Sequence, residues 1–180
     1  MRSSRIAVLT LATALGLGLG ACSRDASPGL PQPDTKKAAA ELQVGLTAQS
    51  KGDLDGAYQH YQESLKYEPK NKYALYNLAL VDAAHRDFGQ AEQKYRVVLG
   101  IDPAYTPALF NLAILRKNSG DATEATALYR RLLAANPKDA AAHMNLGILL
   151  RTTGQKKDGD AEVRQALALN PALKDPAATK

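Results

Sequence analysis

The chain has 180 residues, and its 45% hydrophobic content excludes a disordered polymer that cannot bury a core. Lys and Arg total 23 against 18 Asp and Glu, but Arg2 and Arg5 lie in a segment expected to be removed, leaving an excess of three positive charges spread among acids, with no basic run. That balance argues against a nucleic-acid partner, and the single cysteine, Cys22, rules out an intramolecular disulfide.

Residues 1–21 begin with Arg2 and Arg5 and continue into an apolar run from Ile6 to Ala21. At sixteen residues the run is shorter than the roughly 20 a membrane-spanning helix needs, which is the shape of a secretory signal. It ends Leu19-Gly20-Ala21-Cys22, a tetrapeptide that resembles the lipobox of bacterial lipoproteins. The resemblance implies cleavage before Cys22, a lipid on its thiol, and attachment to a membrane surface in the cell envelope. Ser23, where aspartate would mark inner-membrane retention in enteric-type bacteria, points to the periplasmic face of an outer membrane if the organism has one. Two alternatives stay open: an ordinary cleaved signal with Cys22 a bystander, or an uncleaved anchor. Residues 22–37 then hold three prolines and no apolar periodicity and read as a disordered tether, reaching up to about 3.1 Å per residue.

Beyond the tether, Pro69, Pro103, Pro137 and Pro171 recur every 34 residues, preceded by YE, ID, AN and LN. Within each period a Leu column (Val44, Leu78, Leu112, Leu146) adjoins a small column (Gly45, Ala79, Ala113, Gly147). A second small column (Ala57, Ala91, Ala125, Gly159) precedes Tyr61, Tyr95, Tyr129 and Val163, then Leu65, Leu99, Leu133 and Leu167. Gly52, Gly120 and Gly154, with Arg86 the exception, fall where a first helix would end in a left-handed turn. Asp87 with Gln90 and Asp121 with Glu124 have capping-box spacing, Thr106-Pro107 suits an N-cap and first helical residue, and Asn71 and Asp139 suit the equivalent caps.

This pattern resembles the tetratricopeptide repeat, whose period is 34. The resemblance implies an all-α, right-handed α-solenoid of four helix-turn-helix repeats at 38–71, 72–105, 106–139 and 140–173, with a tail at 174–180. The chain departs from the family in lacking its Trp, that column being Glu41, Leu75, Leu109 and His143, and its early Tyr, that column being Ala48, Asp82, Arg116 and Leu150. Glu41 suits a first helix with water on one side. In the fourth repeat Gly159 costs about 1 kcal/mol of helix propensity, so the last helix is expected to fray. Its end surface of Leu146, Leu150, Leu167 and Leu169 is expected to be partly bare and open to self-association, unless the last helix folds over it.

No reactive constellation accompanies the repeats. His60, His85 and His143 occupy three different columns with no His-x-x-x-His spacing, and neither a Gly-x-Ser-x-Gly elbow nor a phosphate-binding glycine loop occurs. The expectation is a non-enzymatic protein with no metal and no cofactor.

In the family the first helix of each repeat lines the concave face, where partners bind. Carried over, that face comprises Leu42, Tyr76, Phe110 and Met144; Leu46, Leu80, Ile114 and Ile148; and Tyr73 nearer the helix starts. Between them runs a ladder of Asn77, Asn111 and Asn145, able either to bond a guest backbone or to brace the repeats. Lys117 and Arg151 make the far end basic. The expected guest is an extended or helical segment with apolar anchors and an acidic flank. The chaperone-binding subset of the family clamps a carboxylate with Lys and Asn, but Leu42, Leu46, Pro107 and Asn111 occupy its places here and Asn77 alone matches. The leading expectation is a lipid-anchored envelope scaffold or adaptor, similar in layout to small tetratricopeptide lipoproteins that assist pilus or secretin assembly. A self-associating structural module and an accessory regulator of an envelope or peptidoglycan enzyme are the alternatives.

Overall fold

A computed structural model describes residues 33–177, so the signal segment and Cys22 lie outside the described residues. Eight helices and no strand occur among them: α1 (Thr35–Ser50), α2 (Leu54–Tyr67), α3 (Lys72–Ala84), α4 (Phe88–Ile101), α5 (Thr106–Asn118), α6 (Ala122–Ala135), α7 (Ala140–Thr152) and α8 (Lys156–Leu169). Each odd-numbered helix pairs with the next to make a hairpin, and successive hairpins stack through α2 on α3, α4 on α5 and α6 on α7.

The turn chemistry follows from local sequence. Gly52, Gly120 and Gly154 have φ of 82°, 87° and 87°, and Arg86 takes the same left-handed conformation at 66°. Asp53, Asp87, Asp121 and Asp139 each accept from the backbone N–H three residues on, and Asn71 accepts from Tyr73 and Ala74, satisfying donors that a helix start leaves unpaired. Helix α5 differs from expectation. Its N-cap is Tyr105 with no side-chain cap, Thr106 is already helical, and Pro107 lies within the first turn, where its missing N–H costs nothing. Helix α1 begins three residues inside the segment read as a tether, because Asp34 accepts from Lys37 N–H and starts the helix at Thr35.

The core runs through the stacked hairpins. Tyr61, Tyr95 and Tyr129 are fully buried, and Leu78, Leu112 and Leu146 line up beneath them at 1–2% exposure. Val44, the first member of that Leu column, is 46% exposed, since among the described residues no hairpin stacks on the outer side of α1. In the two interior repeats the family's early Tyr is replaced by charge: buried Asp82 has Lys94 Nζ 2.7 Å from its Oδ2, and Arg116 reaches Glu92 of the preceding repeat at 2.5 Å. Arg96 joins Glu92 to Glu124, so one network of opposite charges staples α4, α5 and α6. In the terminal repeats the missing Trp is replaced by mirror-image pairs, Glu41 with His60 at 2.8 Å and His143 with Glu162 at 2.6 Å.

The fourth repeat corrects one expectation and meets another in part. Helix α8 runs unbroken from Lys156 to Leu169. Gly159 lets it close on α7: a Cβ there would lie 2.6 Å from the Gly147 carbonyl oxygen, and one on Gly147 would lie 2.8 Å from that of Gly159. Of the end surface, Leu146 and Leu150 are 1% exposed, whereas Leu167 and Leu169 are half-buried and keep part of their apolar area in water. Leu173 folds back onto Met144, Val163 and Ala166, and the exposed positions of α8 are mostly Lys, Arg and Gln. The uncovered apolar side chains of the terminal hairpins sit instead on α1, where Leu46 joins Val44 at 38% exposure.

Candidate binding groove

The inner helices α1, α3, α5 and α7 carry the residues expected to meet a guest. Regular helix spacing places Tyr73, Tyr76, Asn77 and Leu80 on one stripe of α3, and Phe110, Asn111, Ile114 and Lys117 on the matching stripe of α5. Tyr73 is 50% exposed, while Tyr76, Leu80, Phe110 and Ile114 are half-buried, each with part of its apolar surface in water. At the α1–α3 end, Ala39, Leu42, Tyr73, Ile101 and the Lys72–Asp102 pair line an open depression of about 640 Å³. Leu42 is half-buried there against the first repeat's core.

An aromatic cluster organises this end. Tyr105 stands edge-on to Tyr73 at 6.1 Å and to Tyr76 at 5.4 Å between ring centroids, and Tyr76 also meets buried Tyr95 at 5.9 Å. Lys72 Nζ sits 5.2 Å from the centroids of both Tyr73 and Tyr105 and 2.6 Å from Asp102 Oδ2. The hydrogen bond between them raises the Lys72 pKa and lowers that of Asp102. Burial raises the Tyr76 and Tyr105 phenols, an effect that a hydrogen bond from Asn111 partly offsets at Tyr76. Tyr105, Lys72 and Ile101 stand beside the expected residues at this end and were missed in the sequence, because they lie on or beside the inter-repeat loop and outside the helical columns. An aromatic just past the IDP turn is the signal that could have found Tyr105. Farther along, Phe110 stands edge-on to Tyr129 at 5.9 Å.

The asparagines do not form one uniform ladder. Asn77 and Asn145 donate to the carbonyls of Tyr73 and Ala141, four residues back in their own helices, which leaves each side-chain carbonyl oxygen free to accept. Asn111 instead donates to the Tyr76 hydroxyl at 2.9 Å and braces repeat three on repeat two.

The α7 end departs most from the expected surface. Met144 is 8% exposed, packed on Val163 and Ala166, and offers a guest little area. Ile148 is half-buried against the same cluster. Arg151 is already engaged: Nε contacts Asp160 at 2.7 Å, and Nη1 and Nη2 take Asp175 Oδ1 and Oδ2 at 2.6 and 3.0 Å. That bidentate pairing holds Asp175 below the usual carboxylate range and raises Arg151. Lys117 is thus the cation of this face that has no acidic partner among the described residues. No cluster of three metal-ligating side chains occurs among the described residues, and no helix there is long and apolar enough to cross a membrane.

Two sequence profiles, each described as Tetratricopeptide repeat, match residues 42–106 and 82–144, together more than half of the chain. No curated protein matches it. Among solved structures, MamA from Desulfovibrio magneticus RS-1 is 21% identical with a TM-score of 0.68, covering 75% of this chain and 76% of MamA. Pseudomonas aeruginosa pilF is 20% identical with a TM-score of 0.69, covering 77% of this chain and 63% of pilF. The first tetratricopeptide domain of Spaghetti (RPAP3), solved bound to the HSP90 peptide SRMEEVD, is 22% identical with a TM-score of 0.65 over 69% of this chain and 99% of that one. At these identities the likeness is one of fold.

Proposed function

The chain belongs to the tetratricopeptide-repeat family, whose hairpin arrays are protein-interaction scaffolds, and we propose that it is an envelope adaptor holding a partner segment along α1, α3 and α5. The observation that carries this reading is the run of apolar and aromatic surface left wholly or partly in water on those helices, from Leu46 and Tyr73 through Tyr76 and Leu80 to Phe110 and Ile114, beside the unengaged side-chain oxygen of Asn77. Apolar area left in water in a protein with a well-filled core is gained back on binding at about 25 cal/mol per Å². The Spaghetti domain with its bound peptide supports the use of such an array as a peptide cradle. The guest differs here: Leu42 and Leu46 replace polar clamp residues, so an apolar segment fits better than a terminal carboxylate, with Lys117 offered to an acidic flank.

Lipid on Cys22 would moor this adaptor at a membrane surface, periplasmic and outer-membrane if there is one. The resemblance to small lipoproteins that assist pilus or secretin assembly, with the fold likeness to pilF, favours a role in assembling an envelope complex. Substituting Tyr73→Asp and Ile114→Lys together tests it: capture of the envelope partner should be lost while helical content is kept, and capture unchanged would remove the groove from the account.

A further inference from the structure

Residues 171–177 do not trail away from α8. Asn170 closes the helix on Ala166, Leu173 N–H returns to the Asn170 carbonyl at 3.1 Å, and Asn170 Oδ1 accepts from Ala172 N–H, so the chain turns back at once. Leu173 then packs on the cluster of Met144, Val163 and Ala166, next to Ile148 and Leu167. Two residues on, Asp175 takes both terminal nitrogens of Arg151.

The spacing is a matched register. An extended chain covers about 6.6 Å over two residues, and α7 rises about 4.5 Å from Ile148 to Arg151 and about 10.5 Å from Met144, so an apolar side chain and a carboxylate at i and i+2 reach both anchor points together. Arg151 is preset for this contact, because Asp160 holds Nε and leaves the two terminal nitrogens for a second carboxylate. Residues 171–175 grip the domain by side chain, Leu173 as a plug and Asp175 as a clamp. These are the apolar anchor and the acidic flank expected of a guest, supplied by the chain itself.

The geometry points to a displaceable internal ligand: Leu173–Lys174–Asp175 occupies a site on α7 for a segment bearing a large apolar residue followed two residues later by a carboxylate, and a partner of that chemistry enters the fourth repeat by displacing the tail. This extends the proposed groove to α7 and rests on reading the inner helices as a guest surface.

The test uses the full chain and a fluorescent peptide with its own sequence from Asn170 to Ala177, added in trans. If the tail is seated about 90% of the time, the wild-type protein binds that peptide about tenfold more weakly than a Leu173→Ser, Asp175→Asn variant whose tail cannot compete. A peptide carrying Asp175→Asn should lose most of its affinity for that variant. Equal binding to both proteins, or no binding to a variant with wild-type helical content, overturns the inference. Wild-type protein gives a second readout that needs no variant: millimolar peptide should speed amide exchange at residues 173–175, and unchanged exchange overturns it as well. Failure here leaves partner capture by repeats one to three, read from Tyr73 and Ile114, as a separate result.

Discussion

Asn111 on α5 donates its side-chain amide to the hydroxyl of Tyr76 on α3 across 2.9 Å, one full repeat away, and so the ring that forms the groove wall is also a joint between repeats. Each single substitution, Tyr76→Phe and Asn111→Ala, should destabilise by about 0.5–1.5 kcal/mol, the net worth of one half-buried hydrogen bond. A double-mutant cycle read by urea denaturation should show that the two losses are not additive. Additive losses would mean that the contact contributes nothing.

The same substitution should have opposite signs at two glycines. Gly159→Ala gains about 1 kcal/mol of helix propensity but drives a Cβ to within 2.6 Å of the Gly147 carbonyl and 2.9 Å of Arg151 N, backbone atoms that cannot step aside. Overpacking of that kind costs about 1–3 kcal/mol and wins. Gly100→Ala, in the last turn of α4, meets nothing within 4 Å and should stabilise by about 0.5 kcal/mol. Thermal unfolding of the two variants decides the comparison.

Arg86 occupies the turn that glycine fills in the other three repeats, at φ 66°. A side chain in that region costs about 1–2 kcal/mol, more than the unfolded-state entropy that glycine adds, so Arg86→Gly should raise the melting temperature. Unchanged or lower stability would show that the arginine is held there by a contact outside this argument.

Buried phenols set the alkaline limit. Burial raises Tyr61 and Tyr95, and Tyr129 is pushed up to about 12, all above the ordinary value of 10.0. A folded-state pKa above the unfolded one gives stability that is complete below pH 10 and is lost as pH rises through the folded values. Helix loss and the ionisation of these three phenols should therefore set in together above about pH 10, in one cooperative step. Stepwise ionisation at constant helicity would contradict the burial of this column.

Much of the fold was legible because the repeat is dictated locally. The proline period, the left-handed turns at Gly52, Gly120 and Gly154, and the caps at Asn71, Asp87, Asp121 and Asp139 each depend on a few adjacent residues. The placement of the first-helix side chains was legible where interior repeats flank them, at Tyr76 and Phe110, and less so at the two ends. Val44 shares a column with Leu112, yet among the described residues no earlier hairpin covers it. Met144 shares one with Phe110, yet Leu173 covers it. Arg151 projects from the expected stripe, but its partner Asp175 lies 24 residues on in an aperiodic tail, where no column points. The charge network through Arg116 and Glu92 joins positions of different columns in different repeats, which a one-dimensional pattern does not pair.

Site-specific photocrosslinking in intact cells tests the adaptor most directly, with the probe placed in turn at Tyr73, at Ile114 and at Val97, an exposed residue of the second-helix layer. The account predicts one discrete envelope protein crosslinked from Tyr73 and Ile114 and absent from Val97. Crosslinks from Val97 alone, or the same products from all three positions, would contradict it.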